Sequence, residues 1–139
     1  MKALDLALTL AGLGQVALAV TSTTFARLLD WDQEVAKMRP LVQRFFWIYT
    51  AYILGFNLSF GLLSSLGARW LTDRTPLAAL VTGFIATYWT ARLVLQFTVV
   101  RRSDMPVGTW YRLGEVALVS LFVYLSAVYT LACAANLAG

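Results

Sequence analysis

Histidine is absent from this chain, and cysteine occurs once, at Cys133. The first absence removes the ordinary zinc, copper and haem ligand sets and any triad built on an imidazole base. The second removes an internal disulfide. The seven acids are scattered along the chain, so a carboxylate metal site is not expected either. No haem or metal ligated by this chain is therefore anticipated. Glu115 and the tyrosines are the only acid–base groups of interest, too few for a catalytic set, so the chain is not expected to be an enzyme. Charge is scarce as well: 13% of residues carry it, against ~25% in ordinary soluble domains, while 60% are hydrophobic.

The cations that are present are mostly arginine, nine against two lysines, and the net charge is +4. Such an excess can signal nucleic acid, but these cations stand at the ends of apolar runs, where they would meet lipid headgroups. The partner they imply is a lipid bilayer, not a nucleic acid.

A chain of 139 residues has the length of one domain. Four apolar stretches are each long enough to cross a bilayer, at approximately 4–27, 41–67, 76–100 and 111–137. The expected fold class is all-α, an integral membrane four-helix bundle filling a single transmembrane domain, 1–139. Lys2 followed by an apolar run resembles a secretory signal peptide. Asp5 interrupts the start of that run and no A-x-A site follows, so a retained span is expected. Ala3, Ala7, Ala11 and Gly14 form a small-residue stripe on it that would let a neighbouring backbone approach.

Between the first two spans, Leu28, Leu29, Trp31, Val35 and Met38 recur at near-helical spacing among charged residues. That pattern suggests an interfacial amphipathic helix at 28–39, ended by Pro40. In the second span Gln43, Thr50, Asn57 and Ser64 are spaced by sevens and share one face. Thr50, Asn57 and Ser64 form the expected polar stripe for helix packing, with a polar pathway as the alternative.

The third span contains one charge, Arg92, nine residues before Arg101 and so ~13 Å deeper along a helix. A cation at that depth costs about 2.5–3.5 kcal/mol even on lenient scales. Tyr88, Arg92 and Gln96 lie along one face at four-residue spacing. An antiparallel fourth helix would bring Glu115 toward Arg92, with Arg44 and Gln43 entering from the second helix. Two roles stay open for this group. Arg92 and Glu115 could neutralise one another and fix the packing. Alternatively, surplus cations could hold an anionic headgroup, a quinone carbonyl or a carboxylate substrate, with Tyr88 and Trp89 as aromatic walls.

Four spans put both termini on one side. The opposite side carries Arg27, Lys37, Arg39, Arg44, Arg101, Arg102 and Arg112, against Lys2, Arg69 and Arg74 with the termini. The positive-inside rule then places the connectors 28–40 and 101–110 in the cytoplasm and both termini outside, in an inner or plasma membrane. Two functions fit this pattern. One is a non-catalytic accessory or assembly subunit of a larger membrane complex. The other is a small homo-oligomeric transporter or channel, or a lipid- or quinone-binding protein, using a cationic intramembrane pocket around Arg92.

Overall fold

The computed structural model describes residues 2–139, with Arg102 described by its backbone alone. Five α-helices follow one another: α1 (Lys2–Leu28), α2 (Trp31–Ala36), α3 (Pro40–Leu66), α4 (Pro76–Thr98) and α5 (Thr109–Leu137). All but α2 are long and apolar enough to cross a membrane. The protein is an all-helical four-helix bundle, and its apolar spans place it in a lipid bilayer.

Where the helices begin and end follows from local chemistry. Pro40 and Pro76 each occupy a first-turn position, where the missing N–H would have had no partner anyway. Thr75 caps α4 by accepting from the Ala78 N–H at 3.1 Å, and Asp73 in turn accepts from the Thr75 hydroxyl at 2.7 Å. The amphipathic segment is shorter than its spacing predicts. The α1 helix runs on to Leu28, and Asp30 turns the chain through the left-handed region (φ 48°), leaving only Trp31–Ala36 as a separate helix. Trp31 then packs edge-on against Phe46 and lays α2 back along the start of α3. The third span stops at Thr98, two residues short of its expected end, and a 3₁₀ turn at Arg102–Asp104 follows.

The spans associate as two antiparallel pairs, α1 with α3 and α4 with α5. Close approach in the first pair depends on glycine. A Cβ on Gly12 would lie 2.6 Å from the Gly61 carbonyl oxygen, and one on Gly61 would lie 3.0 Å from that of Gly12. The expected stripe of Ala3, Ala7, Ala11 and Gly14 is thus displaced by one position. Ala11 is buried, but Ala3 is exposed and Gly14 faces Leu121 of α5. The face of α1 that turns inward is Leu8, Ala11, Gly12, Gln15 and Ala19.

The two pairs meet along Trp89, Phe122, Leu125 and Tyr129, joined by Leu8, Phe60 and Ile85. Between α3 and α4 the contact is aromatic: Phe60 packs edge-on against both Phe84 and Tyr88. The second connector is bound to the far end of α5. Asn136 donates from Nδ2 to the Leu71 carbonyl at 2.8 Å and accepts the Arg74 N–H at 3.0 Å. Those two bonds hold Arg74 in the left-handed region, φ 62°, which a β-carbon disfavours.

Candidate functional site

Midway through the bundle, one side chain from each spanning helix joins a common hydrogen-bonded node. Gln15 of α1 is fully buried. Its Oε1 accepts from Trp89 Nε1 of α4 at 3.1 Å, and its Nε2 donates to the Tyr129 hydroxyl of α5 at 2.6 Å. The second Nε2 hydrogen reaches the Ala11 carbonyl at 3.2 Å. Tyr129 also shares a hydrogen bond with Ser64 Oγ of α3. An indole N–H can only donate, so the amide oxygen must face Trp89 and the nitrogen must face Tyr129. The arrangement has one consistent orientation and leaves no buried N–H in the node unpaired.

Trp89, Phe122 and Tyr129 fill the same level, each no more than 2% exposed. They leave the middle of the single chain closed. Of the residues in the polar stripe of α3, Ser64 enters this node and Asn57 accepts from the Tyr88 hydroxyl at 3.1 Å. Thr50 instead donates back to the Phe46 carbonyl of its own helix at 2.8 Å.

The residues expected around Arg92 are only partly gathered. Tyr88, Arg92 and Gln96 do share a face of α4, but each has a different environment. The Tyr88 hydroxyl is engaged by Asn57. The Arg92 guanidinium carbon lies 5.1 Å from the centroid of the Phe122 ring, a cation–π contact across the α4–α5 seam. Gln96 is 6% exposed.

Arg92 and Glu115 form no ion pair. Among the described residues the sole pair within 4.0 Å is Lys37 with Glu34, on the surface. The reason is the register of α4 on α5. Phe122 packs tilted against Trp89 at 5.5 Å and takes the guanidinium onto its own ring, while Glu115 stands seven residues, nearly two turns, nearer the start of α5. Gln43 and Arg44 do not join the seam. Gln43 donates to the Ala36 and Met38 carbonyls at 3.1 and 2.8 Å, closing the end of α2, and Arg44 is exposed beside it.

Trp89 and Tyr129 were not anticipated as polar participants. The available signal was their depth. Both lie well inside their spans, away from the interfacial levels where aromatic belts gather, and each carries a polar group that needs a partner when buried.

Two further concavities exist. A groove of about 880 Å³ runs along the outer side of α4 and α5, over Gly83, Thr87, Ala91, Thr130 and Cys133. Cys133 is half-buried there, with its thiol 3.4 Å from the Ala79 carbonyl oxygen, as a small packing residue would be. A smaller polar cleft lies where Asp5 and Thr9 face Ser65 and Arg69. Thr72 closes its edge by donating to the Asp5 carboxylate at 2.6 Å. Among the described residues, no three histidine, cysteine or acidic side chains come together.

No protein-family model, curated protein or solved structure matches this chain.

Proposed function

We propose that this protein is a non-catalytic accessory or assembly subunit of a larger membrane complex. The observation that carries the reading is the uncovered amino-terminal half of α3. From Leu41 to Phe56 no residue is buried, and only Gln43, Phe46, Thr50 and Leu54 are half-buried. Those four form one narrow stripe. Phe45, Trp47, Ile48, Tyr49, Tyr52 and Ile53 are exposed around the rest of the helix. A half-helix rich in large aromatic groups and lacking neighbours on most sides is what an assembly partner would cover.

The closed interior argues in the same direction. With Gln15, Trp89, Phe122 and Tyr129 at most 2% exposed, the middle of one bundle offers no path for a solute. The excess of cations at the α2 end supports cytoplasmic connectors and external termini, in an inner or plasma membrane.

The test is site-specific photocrosslinking in the native membrane, with a photoreactive phenylalanine replacing Ile48 or Tyr52 and, as control, the exposed Leu80 of α4. A subunit gives one polypeptide adduct of fixed mass at both α3 positions and none at Leu80. Lipid adducts alone would refute the reading. Adducts to a second copy of this chain would replace it by the homo-oligomeric alternative.

A further inference from the structure

The chain contains two deeply buried glutamines, and they are treated differently. Gln15 is completely enclosed and every hydrogen of its amide is bonded. Gln96 is 94% removed from solvent, and among the described residues its amide has no hydrogen-bond partner. Its nitrogen and oxygen are not fully enclosed, since among the described residues Ser126 Oγ is the buried side-chain polar atom without a partner. Gln96 stands two residues before the end of α4, so the amide is open to an incoming acceptor.

One turn below it, on the same face, Arg92 presents the same deficit in stronger form. A guanidinium has five N–H donors arranged in a planar fork. Its central carbon lies 5.1 Å over the Phe122 ring, which supplies no oxygen acceptor for those donors. No carboxylate reaches it within 4.0 Å among the described residues. Arg92 and Gln96 together therefore form a row of donors along the α4–α5 seam, backed by aromatic carbon and lacking an acceptor.

We propose that Arg92 and Gln96 bind the phosphate group of an anionic ligand, supplied by the headgroup of an acidic phospholipid or by soluble phosphate. A phosphate oxygen pair matches the guanidinium fork, and a further oxygen can accept from the Gln96 amide. Charge limits the ligand further. The register set by Trp89 and Phe122 puts Glu115, half-buried, near the level of Gln96 on the facing helix. One intramembrane cation beside a carboxylate suits a singly charged phosphodiester and disfavours a polyphosphate. The proposal stands apart from the subunit reading, because it concerns α4 and α5 and not the open side of α3.

The test is native mass spectrometry of the purified protein, loaded separately with phosphatidylglycerol, phosphatidylcholine or millimolar inorganic phosphate. The expected result is one phosphatidylglycerol retained per chain, with phosphatidylcholine held less well. Arg92→Gln should weaken retention by about tenfold or more, the loss of one charge-assisted contact. Gln96→Leu should weaken it several-fold, and Arg112→Gln, which removes an exposed cation at the same end, should leave it unchanged.

Displacement of the lipid by inorganic phosphate, which then stays bound on its own, assigns the site to a soluble anion. Failure to displace it assigns the site to lipid. If Arg92→Gln does not fold, as judged by helical circular dichroism, Arg92→Lys keeps the charge without the fork and should give a partial loss. Full retention in Gln96→Leu and in either Arg92 variant would overturn the proposal. So would an equal loss in Arg112→Gln, or equal retention of phosphatidylcholine.

Discussion

Replacing Gln15 with leucine tests whether the node, more than apolar packing, joins the two helix pairs. The substitution nearly preserves volume, so a cavity contributes little. It removes the bonds to Trp89 and Tyr129. Interhelical hydrogen bonds in membranes average about 0.6 kcal/mol and reach about 1.7. On that scale the two lost bonds cost about 1–3 kcal/mol. Trp89 Nε1 is 1% exposed as a residue and has no alternative acceptor in the node, which pushes the value toward the upper end.

Tyr129→Phe should cost less, about 1 kcal/mol, because Ser64 can turn its hydroxyl back to a helical carbonyl as Ser59 and Ser65 do. The double variant should be less destabilised than the sum of the two by about 0.5 kcal/mol or more, since both changes remove the same Gln15–Tyr129 bond. The assay is reversible unfolding in mixed micelles followed by tryptophan fluorescence. A Gln15→Leu protein within about 0.5 kcal/mol of the parent would refute the reasoning, placing the change among ordinary surface substitutions. Strict additivity in the double variant would refute it as well.

Three other outcomes follow from the packing. Gly12→Ala should destabilise by about 1–3 kcal/mol, because the added carbon would lie 2.5 Å from Ser65 Oγ and 2.6 Å from the Gly61 carbonyl. Gly55→Ala on α3 meets nothing within 4 Å and should be neutral or slightly stabilising in the same unfolding assay. Asn136→Ala leaves the Leu71 carbonyl and the Arg74 N–H without their partner, so amide exchange across residues 71–75 should accelerate and stability should fall by about 1–3 kcal/mol. With Cys133 replaced by alanine, V107C, at a fully exposed position of the third connector, should resist an impermeant maleimide in intact cells and react once the membrane is opened. Labelling of intact cells would reverse the proposed orientation.

The four spans were legible because a bilayer demands a minimum apolar length, and prolines at positions 40 and 76 mark two of the starts. Which face of each span turns inward was much harder to read. In water a helix announces its buried side by contrast with a polar one. In lipid both sides are apolar and the contrast fades. That is why the small-residue contact falls on Gly12 and Gly61 instead of the stripe through Gly14.

Pairings at long range were equally hidden. Gln15 is the one amide side chain in the first span, but its partners lie 74 and 114 residues away in the chain. The Arg92–Glu115 expectation failed for a related reason. Sequence brings the two charges toward one another on antiparallel helices but does not reveal that an aromatic ring, Phe122, will take the cation first.

The bonds from Asn136 to the second connector have a consequence for biosynthesis. The Leu71 carbonyl is made 65 residues before the side chain that satisfies it, and Gln15 precedes Tyr129 by 114. During translation the first three spans can enter the bilayer, but Gln15 of α1 and Ser64 of α3 lack their shared partner Tyr129 until α5 arrives. A chain stalled before α5 would leave Gln15 and Ser64 without the Tyr129 hydroxyl. Those are polar marks within apolar spans that a membrane protease or insertion chaperone could recognise. The last helix thus acts as the completeness check on the whole molecule.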